Sequence, residues 1–463
     1  MDRQLTGRPS GDLPSGRLRS GKGLGGELPA GEVRRPPYGR NPVLAAGGVR
    51  ARGEIVAAAR ELFARHGYQA TTVESIGEAT GRSGAAVYQY FEGKAEIFGI
   101  FLREAGADLS AVGRRFPVLT DDSDGRQQLA DWVAELVDVV SRHQGTFLLW
   151  AQVQFNEPAL AAIARRNFDG FQNSVLQRLA ASGARPPTPG MVAVGILSVV
   201  QWSYFLFVAR FPELGLPRVE QALAVVLQAY LFGPPAAAVQ WPVAAEQDSE
   251  LPSIPLGDEL GLRRPVTARG AGTVQRILQA TTDRFREMGY QGTSLSDVAA
   301  TAGVSHGSVY TYWADREAVF RTLAQDALAA VELRVAALPA SLQSAEGLDG
   351  WLDEWVSMLD QHGPVLFVWI HEVESLELAE LTDRMNRALD AAADFVASSA
   401  GTPPPDPPAL HVVLRAVLTD VPYVLSAQLG ILERDAAYGF VAGLLHAGLG
   451  IPRAAPTPPV PDR

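Results

Sequence analysis

The 463-residue chain has no cysteine. That absence excludes a disulfide framework, thiolate catalysis and thiolate metal ligation, and it fits a reducing compartment. Histidine is scarce too: the seven present form no H-E-x-x-H and no other metal-ligand spacing, so no metal site, cofactor or enzyme activity has positive support. Cationic charge is short, with 40 Lys and Arg against 51 Asp and Glu, which at first sight argues against a nucleic-acid partner because neutralising phosphate needs cations. The opening MDRQLTGRPS leads into no apolar run, which argues against a secretory signal.

The charge that is present is uneven. Residues 1–52 hold ten Lys and Arg against four Asp and Glu, a balance of +6, so the rest of the chain carries −17. Residues 1–48 are rich in Gly, Pro and Arg without apolar periodicity and read as a disordered basic arm. Two phosphate-loop spellings fall in it, GKGLGG (Gly21 to Gly26) and GRLRSGKG (Gly16 to Gly23). Neither follows a strand or opens a helix, so low complexity explains them better. A second Pro-rich stretch, 234–268, reads as a linker, and 451–463 as a disordered tail.

The linker separates two similar halves. Ile55 to Phe98 aligns without a gap on Ile277 to Phe320 at an offset of 222, with thirteen identical positions, among them Gly67, Tyr68, Gln69, Gly81, Ser83 and Tyr88. The likeness continues at an offset of 219, where Trp132, His143, Trp150 and Asn167 meet Trp351, His362, Trp369 and Asn386. One apolar stretch, Met191 to Ala209, is long enough to cross a bilayer. Its counterpart in the second half contains Arg415 and Asp420, and charges at a bilayer centre are costly, so a buried helix is expected in both halves and no membrane partner.

Each repeat opens with a helical head. In the first, Ile55, Ala59, Leu62, Phe63 and His66 recur at helical spacing and Gly67 ends the helix. Thr71 and Glu74 suggest a capping box for a second helix, Gly81 makes the turn, and Ser83 caps a third helix over 84–91. This is the pattern of a helix-turn-helix. It also explains GVSHG (Gly303 to Gly307), which spells the G-x-S-x-G of a hydrolase elbow. The elbow needs a strand before its serine; here a helix precedes Ser305, which caps the next helix instead.

The motif LF..GY..TTV..I.....G.S...VY.YF..K...F and its second copy resemble the DNA-binding head of the TetR family of transcriptional repressors. The resemblance is close over the two heads, and over the two bodies it rests on helical pattern alone. It implies an all-α chain: heads at 49–98 and 269–320, helical-bundle regulatory bodies at 99–233 and 321–450, double-stranded DNA as partner, and a small-molecule effector. It also implies a cytoplasmic regulator, a repressor released from DNA by its effector. A recognition helix presents its N-terminal residues to base edges while polar side chains grip phosphates. On that geometry the DNA-binding candidates are Thr71, Arg82, Ser83, Gly84, Ala85, Ala86, Tyr88, Gln89, Tyr90 and Lys94. In the second head they are Thr293, Ser305, His306, Gly307, Ser308, Tyr310, Thr311, Tyr312 and Arg316.

Arg82 stands where the second copy keeps Val304, so either it reaches a phosphate or it loosens the turn. The copies differ at base-facing positions, Gly84 against His306, Ala86 against Ser308 and Gln89 against Thr311, which implies an asymmetric operator read by one chain acting as an intramolecular pseudo-dimer. Pairing of two fused chains stays an open alternative, as does loss of DNA binding by one or both heads. The bodies are expected to meet through 190–232 and 406–448. Trp150, Phe171, Trp202, Trp369, His371 and Tyr423 are the ligand-binding candidates, weighed against an ordinary aromatic core.

Overall fold

The structure, a computed structural model, describes residues 42–153, 157–233, 268–343, 347–373, 378–399, 406–425 and 434–451. Most of the expected arm, linker and tail, with both phosphate-loop spellings, lies outside the described residues. The described chain is all helical, without a strand among the described residues. The first half runs α1 (Pro42–Ala70), α2 (Val73–Ala79), α3 (Gly84–Val87), α4 (Lys94–Arg114), α5 (Ser123–Arg142), α6 (Gln144–Val153), α7 (Pro158–Ser182), α8 (Val192–Arg210) and α9 (Leu216–Phe232). The second runs α10 (Ala268–Met288), α11 (Leu295–Ala302), α12 (His306–Tyr312), α13 (Arg316–Ser341), α14 (Gly347–His371), α15 (Ala379–Ser398), α16 (Pro407–Leu418), α17 (Asp420–Tyr423) and α18 (Arg434–Leu449). The halves correspond in order, with α14 spanning in one helix what α5 and α6 make in two, and α16 and α17 together standing where the first half has α8.

Three local expectations are corrected. Helix α1 starts at Pro42, inside the segment read as arm; proline is preorganised for a first helical position, and Val, Leu and Ala follow it. The capping box is one residue later than Thr71 and Glu74: Thr72 accepts from the Ser75 amide, and Ser75 Oγ accepts from the Thr72 amide, both at 3.1 Å. The third helix of the first head stops at Val87 rather than 91, because Gln89 N and Tyr90 N turn to the carbonyls three residues back, at 3.3 and 2.9 Å.

In each body the amphipathic helices bury one apolar stripe against their neighbours. Helix α8 is apolar on all sides, and the protein buries it on all sides: 89% of the bilayer-length window within Pro189–Arg210 is covered. Much of that cover comes from the other half. Helices α8 and α9 pack against α16 and α18. The Phe440 ring is seated on Gly195, where a Cβ would lie 2.1 Å from ring carbons, and Tyr230 meets the same ring edge-on at 5.3 Å. Arg218 forks onto Asp406 across the seam at 2.6 and 2.8 Å, and Trp202 meets Phe367 edge-on at 5.5 Å.

A charged cluster lies beside this seam around the buried Arg415. Arg415, 2% exposed, bonds Asp390 and donates to Asn386 Oδ1 at 2.6 Å. His411 reaches Asp394 at 2.6 Å and Asp390 at 3.2 Å, and Arg210 of the first half lies 3.8 Å from Asp390. Burial pulls the His411 pKa down, but the two aspartates outweigh it and hold it above the ordinary 6.5. Burial pushes Asp390 up, yet His411 and Arg415 hold it below the ordinary 3.8. The raised His411 stabilises the fold below 6.5, and that contribution is lost as pH climbs through its folded-state value; the depressed Asp390 contributes above 3.8 and is lost as pH falls through its folded-state value. Unfolding midpoints measured across pH should therefore fall on the alkaline side of 6.5, and His411→Gln should flatten that limb.

The seam also predicts a packing defect. Phe440→Ala empties a fully buried ring position and should cost about 3–5 kcal/mol in chemical unfolding.

Candidate nucleic-acid interface

Each head is three helices around a small aromatic core. In the first, Phe63 stacks on Tyr68 at 5.5 Å and meets Phe98 edge-on at 5.6 Å; in the second, Phe285, Tyr290 and Phe320 repeat the arrangement at 5.3 to 5.8 Å. Gly81 (φ 66°) and Gly303 (φ 63°) turn the chain between the second and third helices in the left-handed region that glycine tolerates. Ser83 Oγ then accepts from Ala86 N, and Ser305 Oγ from Ser308 N, each at 3.2 Å. Ser305 is thus the N-cap of α12 and follows helix α11, not a strand.

The short third helix bears one buried side, Val87 or Val309, and one open side. Ser83, Ala85, Tyr88 and Gln89 are exposed in the first head, with Gly84, Ala86 and Tyr90 half-buried. Ser305, His306, Gly307, Tyr310 and Thr311 are exposed in the second, with Ser308 and Tyr312 half-buried. Tyr88 and Tyr310 are 46% and 39% exposed, unusual for large apolar side chains in this protein, and His306 braces Tyr310 edge-on at 4.9 Å. The heads approach one another where the Gln69 side chain lies against Gly292, 3.2 Å from the position of a Cβ there.

Several candidates point inward instead. Lys94 Nζ donates to the carbonyls of Tyr68, Gln69 and Thr71 at 2.7, 3.1 and 2.9 Å and sits 4.5 Å over the Tyr68 ring. Arg316 does the same in the second head, to Tyr290, Gln291 and Thr293 at 2.8, 3.4 and 2.8 Å, with its guanidinium 4.1 Å over Tyr290. These cations close the turn between the first and second helices of each head; Tyr290, Gln291 and Thr293 lie beyond α10, which ends at Met288. Burial holds Lys94 below its ordinary pKa, partly offset by Glu157. Thr71 and Thr293 are 1% exposed, and their hydroxyls donate to Gly67 and Gly289 carbonyls at 2.8 and 2.7 Å. Arg82 follows neither expected course: Glu54 of α1 takes its charge at 2.6 Å, while the Thr80 carbonyl takes a second N–H at 3.0 Å. Arg82 and Arg50 together hold the Glu54 carboxyl below its ordinary range.

The ligand candidates scatter. Trp150 packs on the first head, Phe171 lies stacked on Trp132 at 6.4 Å in the first body, and Trp369 donates to Thr382 at 3.0 Å. Trp202, His371 and Tyr423 converge at the seam between the bodies: Trp202 and Phe367 lie 4.8 and 4.7 Å from His371, and Phe367 lies 5.7 Å from Tyr423. Of the three, Tyr423 lines a narrow cavity of about 20 Å³, roughly one water, together with Trp355, Gly363, Phe367, Thr419 and Asp420 among others. Asp420 was overlooked as a site residue, though a lone acid in so apolar a helix pair was the available signal.

Two helix-turn-helix heads, each with its recognition face open and each carried on a helical body, define a double-headed member of the helix-turn-helix class. Residues 55–99 and 277–323 both match the model of the bacterial regulatory proteins, tetR family, so the chain carries two domains of that type in a tandem duplication. It is 27% identical over 150 residues to the HTH-type transcriptional activator FasR of Mycolicibacterium smegmatis, which covers 32% of this chain and 68% of that one. It is 41% identical over 61 residues to the HTH-type transcriptional repressor AcnR of Corynebacterium glutamicum, 13% of this chain and 32% of that one, and 40% identical over 62 residues to the Corynebacterium efficiens protein of that name. The chain thus spans about a third of the length of the AcnR relatives. A solved SmeT-Triclosan complex matches 42% of this chain and 99% of its own at 21% identity, with a TM-score of 0.30, too low an overlap to bear on the argument.

The capping cations generate a prediction. Lys94→Met or Arg316→Met removes three charge-assisted carbonyl bonds and should destabilise its head by about 1.5–3 kcal/mol. Hydrogen exchange should then quicken around Tyr68 to Thr72, or around Tyr290 to Ser294, in the altered head alone.

Proposed function

We propose that this chain is a ligand-responsive transcriptional repressor, acting in the cytoplasm, in which one polypeptide does the work of a dimer on an operator with two unlike halves. One observation carries the reading: two heads share a scaffold down to their capping cations yet expose different residues on their recognition faces. Ser83, Ala85, Tyr88 and Gln89 would address one half-site, and Ser305, His306, Tyr310 and Thr311 the other. Tyrosine and serine hydroxyls suit phosphate oxygens, while Gln89 and His306 can bond base edges.

The seam supports pairing in cis. At the offset of 219, Gln221 stands where Phe440 does and Leu414 where Gly195 does, so the seat of the ring on the glycine exists once and joins unlike halves. The cations Arg210 and Arg218 likewise belong to the first half and their partners Asp390 and Asp406 to the second.

A second reading has its own observation. Lys94, Arg316 and Arg82 are engaged within the heads, so the exposed candidates include no cation. That favours a protein whose heads no longer bind DNA. Selection of bound fragments from random duplex DNA decides between the two. The regulator should enrich a site with two unlike halves, and Tyr88→Ala and Tyr310→Ala should each weaken binding, by about 1 kcal/mol or more, at one half only. A palindromic site counts against the unlike-halves reading, and no enrichment favours the second.

A further inference from the structure

We infer that effector sensing in this chain is one-sided: the second body holds the site, its occupant is a hydrophobic ring-bearing molecule with one hydrogen-bond-donating handle, and it acts on the second head alone. The inference rests on the regulator reading for its consequence and on the second body's own geometry for the site.

The cavity wall is apolar and aromatic, with Trp355, Phe367 and Tyr423 as its rings. Its charged polar group is the Asp420 carboxylate, 5% exposed. One Asp420 oxygen pairs with His371 Nε2 at 2.8 Å and the other with the Thr419 hydroxyl at 3.0 Å. A carboxylate has about four acceptor positions, so it can still take a donor from an occupant. Across the seam, the Trp202 indole N–H is buried without a hydrogen-bond partner, its ring on His371. An unbonded buried donor is costly, so the contact of Trp202 on His371, behind Asp420, is primed for rearrangement.

At about 20 Å³ the cavity admits a ring only if a wall moves. Tyr423 is the wall that can. Its ring lies against Gly363 of α14, 2.2 Å from where a Cβ would be, and its hydroxyl is beside the guanidinium of Arg286 on α10 of the second head. An occupant that lifts the ring draws the hydroxyl off Arg286. The same helix α14 ends at His371, and the next residue, Glu372, accepts the Tyr290 amide at 2.8 Å beside Gly289 (φ 68°), where the head turns from α10 toward α11. Cavity and head are thus joined twice.

The first half lacks each part. At the corresponding offsets, Ala64 replaces Arg286, Val153 replaces Glu372, Gln201 replaces Asp420 and Gln144 replaces Gly363. Tyr204, the counterpart of Tyr423, spends its hydroxyl on Ser141 of its own body at 2.8 Å. Phe171, fully buried, stands where the second half has Asp390.

Calorimetric titration of the full chain with phenol, benzylamine and toluene presents one ring with a neutral donor, a cationic donor and none. Phenol or benzylamine should bind at least about tenfold more tightly than toluene, the worth of one bond to a charged acceptor, and Asp420→Leu should erase the difference. Whichever of the two binds better identifies the handle as hydroxyl or ammonium. Binding to DNA fragments carrying one half-site each is then measured with the better probe. It should weaken binding to the half-site read by the second head and leave the other unchanged. Arg286→Ala should keep probe affinity and lose that effect, while Tyr204→Ala should change neither. Equal weakening at both half-sites, toluene binding as well as the donors, or no probe binding at all overturns the inference. Absence of DNA binding by the wild type sinks the regulator reading instead, and the titrations still decide the site.

Discussion

A phenylalanine ring cannot occupy the space of a Cβ, and the arrangement of this protein depends on that. Phe440 lies on bare backbone at Gly195, and around that contact the last helices of two bodies close into one core. The surrounding ion pairs, Arg218 with Asp406 and Arg210 with Asp390, give the seam a direction: cations from one side, anions from the other. A seam with direction joins unlike surfaces better than like ones. With the bodies held in this way, each head projects from its own α4 or α13 with its recognition face uncovered.

The two heads solve one local problem identically. The first helix of each head breaks at a glycine, Gly67 or Gly289, and in both heads a cation from 26 residues onward reaches back to the carbonyls of the turn that follows, Tyr68 or Tyr290 among them. The tyrosine ring beneath each cation adds an electrostatic seat. Helix register and cap are therefore set by a contact between distant parts of the head, which keeps the turn rigid while the recognition face stays free to vary.

Much of this was legible in the residues. Period 3.6 patterning, the paired glycines Gly81 and Gly303 and the gapless offset of 222 fix an all-helical, duplicated chain. Ser83 and Ser305 are caps as their spacing implies. What escaped depends on contacts between segments far apart in sequence. Lys94, Arg316 and Arg82 read as free cations because pattern cannot reveal which carbonyl or carboxylate will stand opposite them. The slip from Thr71 to Thr72 has a simpler cause: two adjacent threonines offer the same chemistry, and only the burial of the first separates them. Ligand candidates chosen for aromaticity scattered for the same reason, since a tryptophan fills a core as readily as it lines a pocket.

Covalent continuity between the bodies has a consequence for dosage. Where separate subunits must meet, the assembled fraction falls away on dilution, and response to copy number is steep. On the proposed pairing in cis, the partner surface arrives on the same backbone, at an effective concentration set by the tether and independent of abundance. Assembly of that proposed pair is first order, so a handful of molecules per cell is as fully formed as a thousand.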